Sequence, residues 1–174
     1  KQVAGYDKTQ TPLTQKLQEE GIKITFEDSE SAILDDFKKD VLVVYTPAIP
    51  SDSIILNYFK NQNIPLFKRS QILGMITEDY LTIAVAGTHG KTTTSTMIAH
   101  LLHSAGEQCT AFLGGISSNL NSNLLLAEDE LEQIIVVEAD EYDRSFLTLH
   151  PDIAVITSTD ADHLDIYGES NELM

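Results

Sequence analysis

Short apolar runs alternate with helically spaced apolar positions along the whole chain. Residues 3–6 end a first strand, and Thr11 followed by Pro12 opens a helix that Gly21 stops, with Leu13 and Leu17 on its buried face. Residues 22–26 read as a strand and 31–37 as a short helix. The unbroken run Val41-Leu42-Val43-Val44-Tyr45 predicts a parallel strand buried on both faces. Residues 51–61 are then helical, 64–67 extended and 70–76 helical. A second series follows Thr77-Glu78-Asp79: a strand at 80–86, a helix at 91–104 with Met97, Ile98, Leu101 and Leu102 on one face, and strands at 108–113, 133–137 and 152–157. Such repeated strand-helix units predict an α/β chain of two consecutive parallel-sheet units, 1–79 and 80–174, with ligands beyond the carboxyl ends of the strands.

The junction of the strand at 80–86 and the helix at 91–104 carries the clearest chemistry. Gly87-Thr88-His89-Gly90-Lys91-Thr92-Thr93 places a glycine-rich turn, a lysine and hydroxyls between the two elements. The first amides of a helix have no partner within it, and they converge with the helix dipole on an anion. Lys91 adds a positive charge, and the Thr92 hydroxyl suits a magnesium ion on the same phosphates. Val85 stands where the common phosphate-loop pattern has its first glycine, so the turn is a variant of that pattern.

Other candidates sit at strand ends. Glu138 is the first acid after the apolar run Ile134-Ile135-Val136-Val137, the place from which phosphate-loop proteins deliver a carboxylate to the metal of a bound nucleotide. Asp140, Glu141 and Asp143 are either part of that cluster or a solvated helix start. Asp162 and His163 follow the strand at 152–157, but magnesium prefers oxygen, and spacing alone leaves His163 a loop histidine. Gly114-Gly115 is a close backbone approach to a ligand or an ordinary turn. In the first unit, Asp7, the loop Thr46-Pro47-Ala48-Ile49-Pro50 and Lys68-Arg69-Ser70 lie at strand ends, and Asp7 suits either ribose hydroxyls or a loop cap. His100 and His103 read as surface or packing residues.

Composition narrows the partners. In 174 residues there are 27 acidic and 11 basic side chains, a formal charge of −16, which argues against a nucleic-acid surface. No apolar run reaches the ~18 to 20 residues of a membrane span and no signal peptide is visible, so a cytoplasmic location and no membrane partner are expected. Cys109, the one cysteine, lies in an apolar stretch and is expected to pack rather than react.

The segments 86–94, 138–146 (Glu-Ala-Asp-Glu-Tyr-Asp-Arg-Ser-Phe) and 160–165 (Asp-Ala-Asp-His-Leu-Asp) together resemble the Mur ligases of peptidoglycan synthesis. Gly5-Tyr6-Asp7, Thr46 to Ile49 and Lys68 to Leu73 are similar to that family's uridine-nucleotide-binding domain. The resemblance implies a Rossmann-like UDP-binding domain lacking its first strand, followed by part of a phosphate-loop ATPase domain. It implies ATP and Mg2+ as cofactors, UDP-N-acetylmuramate and L-alanine as substrates, and amide bond formation through an acyl phosphate. Under it, Gly87 to Thr92 hold the phosphates with Lys91 on the transferred one, Thr92 and Glu138 bind one magnesium, and His163 binds a second. Asp7 and the loop from Thr46 would lie against the uridine diphosphate, with Arg69 in the same region, and Gly114-Gly115 would face the muramyl group. Ser158 stands where many of that family carry asparagine. The chain at this length is expected not to complete the reaction by itself.

Three other readings stay open. A recycling ligase that adds a whole peptide to the same UDP-sugar would share these motifs. Asp165-Ile166-Tyr167-Gly168 fits the short Asp-x-x-Gly pattern of a GTPase switch, though no Asn-Lys-x-Asp motif follows. A dinucleotide-binding domain of an oxidoreductase would need a glycine fingerprint that this sequence does not show.

Overall fold

The computed structural model describes residues 1–120, 122–129, 133–139 and 146–159. The chain divides into two compact units, Lys1–Arg69 and Ser70–Met174. The division precedes the sequence-based boundary at residue 79 because the helix at 70–77 goes with the second unit: Gly74 lies so close to Thr148 that a Cβ there would overlap the Thr148 carbonyl oxygen.

In the first unit, strand β1 (Ala4–Tyr6) pairs in parallel with β2 (Lys23–Thr25), and β3 (Val43–Tyr45) pairs in parallel with β4 (Leu66–Lys68). These are two separate two-stranded sheets rather than one continuous sheet. Helix α1 (Pro12–Glu19) begins as the sequence predicts: Thr11 accepts from the Thr14 amide and the Thr14 hydroxyl accepts from the Thr11 amide, a reciprocal cap. Its inward residue is Thr14 rather than Leu13, which is 59% exposed. The helix expected at 31–37 is two 3-10 turns, Glu30–Ala32 and Asp35–Phe37. The run at 41–45 is not buried on both faces, since Leu42 and Val44 are exposed. Among the described residues its β3 core pairs on one side, with β4. Helix α2 (Ile54–Asn61) starts from a Ser53 cap, and α3 (Arg69–Thr77) leads out of the first unit.

The second unit holds a five-stranded sheet of β5 (Leu81–Ala86), β6 (Cys109–Ser117), β7 (Ser122–Leu125), β8 (Ile134–Glu138) and β9 (Ile153–Ile156), in the order β7-β6-β8-β5-β9. Four strands run parallel, while β7, absent from the sequence-based elements, returns antiparallel to β6 across an irregularity between Phe112 and Ser117. Helix α4 (Lys91–Ser104) has the predicted bounds, but its inward face is Ser95, Ile98, Ala99 and Leu102, with Met97 and Leu101 exposed. Small Ser95 and Ala99, both fully buried, let the helix sit close to Cys109, Ala111 and Val136. A second apolar cluster, Ala84, Val137, Ala139 and Leu149, takes Leu73 of α3 against it. Adjacent Val136 and Val137 belong to different clusters, as side chains alternating across a two-sided sheet must.

Candidate functional site

The second sheet's register assembles the site. Strand β5 lies between β8 and β9, with Val85 opposite Glu138 and Ala86 opposite Ile156. The carboxyl ends of three strands therefore meet where β5 turns into α4. The turn needs two glycines: Gly87 has φ +124° and Gly90 has φ +82°, values that side chains disfavour. Gly87 is also confined by contact, since a Cβ there would meet Thr157 Oγ1 and lie 2.8 Å from the Ser158 amide nitrogen. Gly90 is the helix N-cap and offers no side chain to the first amides of α4, which leaves that end of the helix for a ligand.

Thr88, His89, Gly90, Lys91, Thr92, Thr93 and Glu138 line one open cleft of about 320 Å³. Lys91 Nζ reaches back over the turn and donates to the Gly87 carbonyl at 2.6 Å. Thr92 Oγ1 donates to Glu138 Oε1 at 3.0 Å, and the Gly114 amide donates to Glu138 Oε2 at 2.8 Å. Both carboxylate oxygens are thus oriented, one by the first turn of α4 and one by β6. A Cβ on Gly114 would stand 2.5 Å from Glu138 Oε1, and one on Gly115 would touch the Thr92 methyl at 3.4 Å. The two glycines let the backbone of β6 pass directly beside the carboxylate.

Of the candidates in this unit, Gly87 to Thr93, Glu138, Gly114 and Gly115 converge. His163, Asp162, Asp140, Glu141 and Asp143 lie outside the described residues. Among the described residues no group of three or more His, Cys, Asp or Glu side chains is placed to hold a metal. The oxygen donors present are Thr92 and Glu138, a hydroxyl and a carboxylate of the type magnesium takes. His100 and His103 are exposed on α4, away from its start. Cys109 is buried, and burial pushes its thiol up to about 11.

In the first unit, Asp7, Thr46, Ala48 and Arg69 line a cavity of about 930 Å³, together with Tyr6 and Ile49, whereas Pro47 does not line it. Most of its wall is apolar, with Ile24, Ile33, Val43 and Phe59, and has the character of core surface. The polar groups sit at the carboxyl ends of β1, β3 and β4. The Asp7 carboxylate accepts from the Thr9 amide at 2.9 Å, the loop-capping contact that the sequence left open.

Thr157 and Ser158, which the sequence did not single out as site residues, contact the turn directly. Thr157 was legible only as the end of the expected strand at 152–157, and Ser158 only as a departure from the asparagine of the family it resembles, because the neighbour of that strand is not written in the sequence. Among the described residues no helix is long and apolar enough to cross a membrane.

Residues 85–174 match the family description "Mur ligase middle domain", and residues 1–81 match "Mur ligase family, catalytic domain". The chain is 54% identical over 170 residues to a UDP-N-acetylmuramate–L-alanine ligase of Cytophaga hutchinsonii, covering 96% of this chain and 36% of that protein. It is 52% identical over 174 residues to the same-named protein of Flavobacterium johnsoniae, covering 99% of this chain and 38% of that one. The chain thus spans a little over a third of the length of these curated relatives. Among solved structures, UDP-N-acetylmuramate:L-alanyl-gamma-D-glutamyl-meso-diaminopimelate ligase from Neisseria meningitides superposes with TM-score 0.84 at 28% identity, over 98% of this chain and 57% of that one. UDP-N-acetylmuramate-alanine ligase MurC from Thermotoga maritima does so with TM-score 0.83 at 29% identity, over 98% and 39%.

Proposed function

Because the chain belongs to the Mur ligase family, we propose that it forms part of an enzyme that joins L-alanine to UDP-N-acetylmuramate at the expense of ATP, in the cytoplasm. The observation that carries this is the meeting of Lys91, Thr92 and Glu138 at one cleft beside an uncapped helix start. Relatives at 52–54% identity that bear the alanine ligase name support alanine as the amino acid joined.

The loop amides and Lys91 bind and orient the triphosphate, and Lys91 offsets the charge that grows on the transferred phosphoryl group. The muramyl carboxylate attacks that group to give an acyl phosphate, and the alanine amine then displaces phosphate. Neither step needs a protein nucleophile, so the residues of the cleft act by positioning and electrostatics. Thr92 and Glu138 fit magnesium, which when bound would neutralise phosphate charge; Glu138 is held ready by Thr92 and Gly114. His163 is proposed for a second magnesium from the family resemblance alone. The strand-end residues Asp7, Thr46, Ala48 and Arg69 are proposed to receive the uridine diphosphate, with Gly114-Gly115 near the muramyl group.

The structural likeness to a ligase that adds a peptide to the same sugar nucleotide favours one second reading, the recycling activity. The deciding measurement is ATP-dependent phosphate release by the full-length protein with UDP-N-acetylmuramate, offered either L-alanine or the tripeptide. Release with alanine is expected. Release with the tripeptide alone would move the assignment to the recycling ligase, and release with neither would remove both.

A further inference from the structure

Strand β9 continues past Ile156 as a brace under the phosphate loop. The register that sets Ala86 opposite Ile156 brings Thr157 and Ser158 alongside Gly87 and Thr88. The Thr157 amide and hydroxyl both donate to the Ala86 carbonyl, at 3.0 and 3.1 Å, and the hydroxyl also lies 2.5 Å from the His89 carbonyl. The Ser158 carbonyl accepts from the Thr88 amide at 3.2 Å. The Ser158 hydroxyl makes two further contacts: it accepts from the His89 amide at 2.9 Å and pairs with the Thr88 hydroxyl at 2.8 Å. The floor is tight enough that Gly87 has no room for a Cβ above it.

From this geometry we infer that Ser158 is a positioning residue for the phosphate loop, fixing Thr88 and the His89 peptide so that the turn is already shaped before a triphosphate arrives. The role rests on the triphosphate site proposed above, and it goes beyond that site because Ser158 does not line the phosphate cleft. Its chemistry is specific. One side chain must accept from an amide and also pair with a hydroxyl, at the point where the loop would otherwise be free to turn its peptides. An alanine does neither. An asparagine does both, through Oδ1 and Nδ2. The backbone bonds of Thr88 and Thr157 survive either change, so strand β9 stays in register and the loss is confined to the turn.

Preorganisation of this kind is read out as affinity, because a loop that must be ordered by its ligand spends part of the binding energy on ordering. Removing two side-chain bonds is expected to weaken binding by roughly tenfold. The experiment uses the full-length protein and its Ser158→Ala and Ser158→Asn variants, with calorimetric binding of MgATP, amide hydrogen exchange at residues 87–91 without nucleotide, thermal unfolding, and KM for both ATP and the UDP-sugar. For Ser158→Ala the expected result is about tenfold weaker ATP binding, faster exchange at His89, a slightly lowered Tm and an unchanged UDP-sugar KM; Ser158→Asn is expected to recover affinity to within about threefold. Wild-type ATP affinity in Ser158→Ala overturns the positioning role while leaving the nucleotide site intact. A large fall in Tm together with a rise in UDP-sugar KM, in step with the loss of ATP affinity, overturns it as well, since it would mark Ser158 as a general structural residue. Absence of ATP binding by the unsubstituted protein overturns the nucleotide site itself and the positioning role with it.

Discussion

The amide of Gly114 donates a 2.8 Å hydrogen bond to Glu138 Oε2, and the space a Cβ would need at residue 114 is filled by that same carboxylate. Backbone and carboxylate are in contact because β6 runs parallel to β8 with Phe112 opposite Val137, which carries Gly114 just past the strand end where Glu138 sits. Gly114→Ala must therefore move the carboxylate, and movement of about 1 Å in such a group costs on the order of 10²-fold in rate. We expect kcat of the full-length enzyme to fall by about that factor and the magnesium requirement to rise, with the Tm little changed. Normal kcat and magnesium dependence in this variant would count against Glu138 as the metal carboxylate.

Lys91 occupies the first position of α4 and bends back to the Gly87 carbonyl. Its ammonium is thereby kept over the turn rather than in solvent. Lys91→Ala is expected to lower kcat/KM by at least roughly three powers of ten, the scale of other cations that neutralise a transferred phosphoryl group. Folding should be little affected, because Lys91 and the Gly87 carbonyl it bonds are half-exposed rather than in the core. Steady-state kinetics alongside thermal unfolding checks both halves. Near-normal turnover would sink the phosphoryl-transfer role.

The turn and the helix after it were legible because their signals are local: two glycines, a lysine and a hydroxyl in sequence fix the start of α4 at Lys91. Glu138 was legible for the same reason, as the acid that ends an apolar strand. What stayed hidden depends on pairing. Strand β7 has the sequence Ser-Asn-Leu-Leu, too short and too polar to read as extended, and exists because β6 offers it an edge. On α4, Ile98 and Leu102 face inward as the pattern predicts, but Met97 and Leu101 are exposed and Ser95 and Ala99 are buried, because a count of hydrophobicity overlooks small side chains that close packing on a sheet favours. The order of β6, β8, β5 and β9 is likewise unwritten, so neither the Gly114–Glu138 contact nor the bracing contacts of Ser158 could be read from the sequence.

Cys109 opens β6 with its side chain 2% exposed, and burial raises its thiol from 9.0 to about 11. The folded state therefore holds the proton more tightly than the unfolded chain. Stability from this group is whole below pH 9.0 and declines as pH rises toward 11, because the unfolded thiol ionises first. A thiol-specific reagent at pH 8 should label the native protein only as fast as it opens, and denaturant should release the full reactivity. Rapid stoichiometric labelling of the native protein would show that this site is open to solvent.

Asp28, far from α2 in sequence, caps its amino end. Its carboxylate accepts from the Ser53 hydroxyl at 3.1 Å and from the amides of Ile54 and Ile55 at 3.2 and 2.9 Å, while Ser53 itself caps the Leu56 amide at 3.3 Å. One carboxylate thus serves three donors at the positive end of a helix, where anions are favoured. Asp28→Ala leaves those donors to solvent, or to nothing where Ser53 is buried, and should cost about 1–2 kcal/mol. Asp28→Asn keeps one acceptor and should recover part of that. Because the cap lies wholly in the first unit and the phosphate loop in the second, hydrogen exchange should quicken at residues 54–56 in Asp28→Ala while MgATP affinity stays at its wild-type value. Loss of ATP affinity in this variant would mean that the two units are energetically coupled, and unchanged exchange at 54–56 would mean that Ser53 alone suffices to hold the helix start.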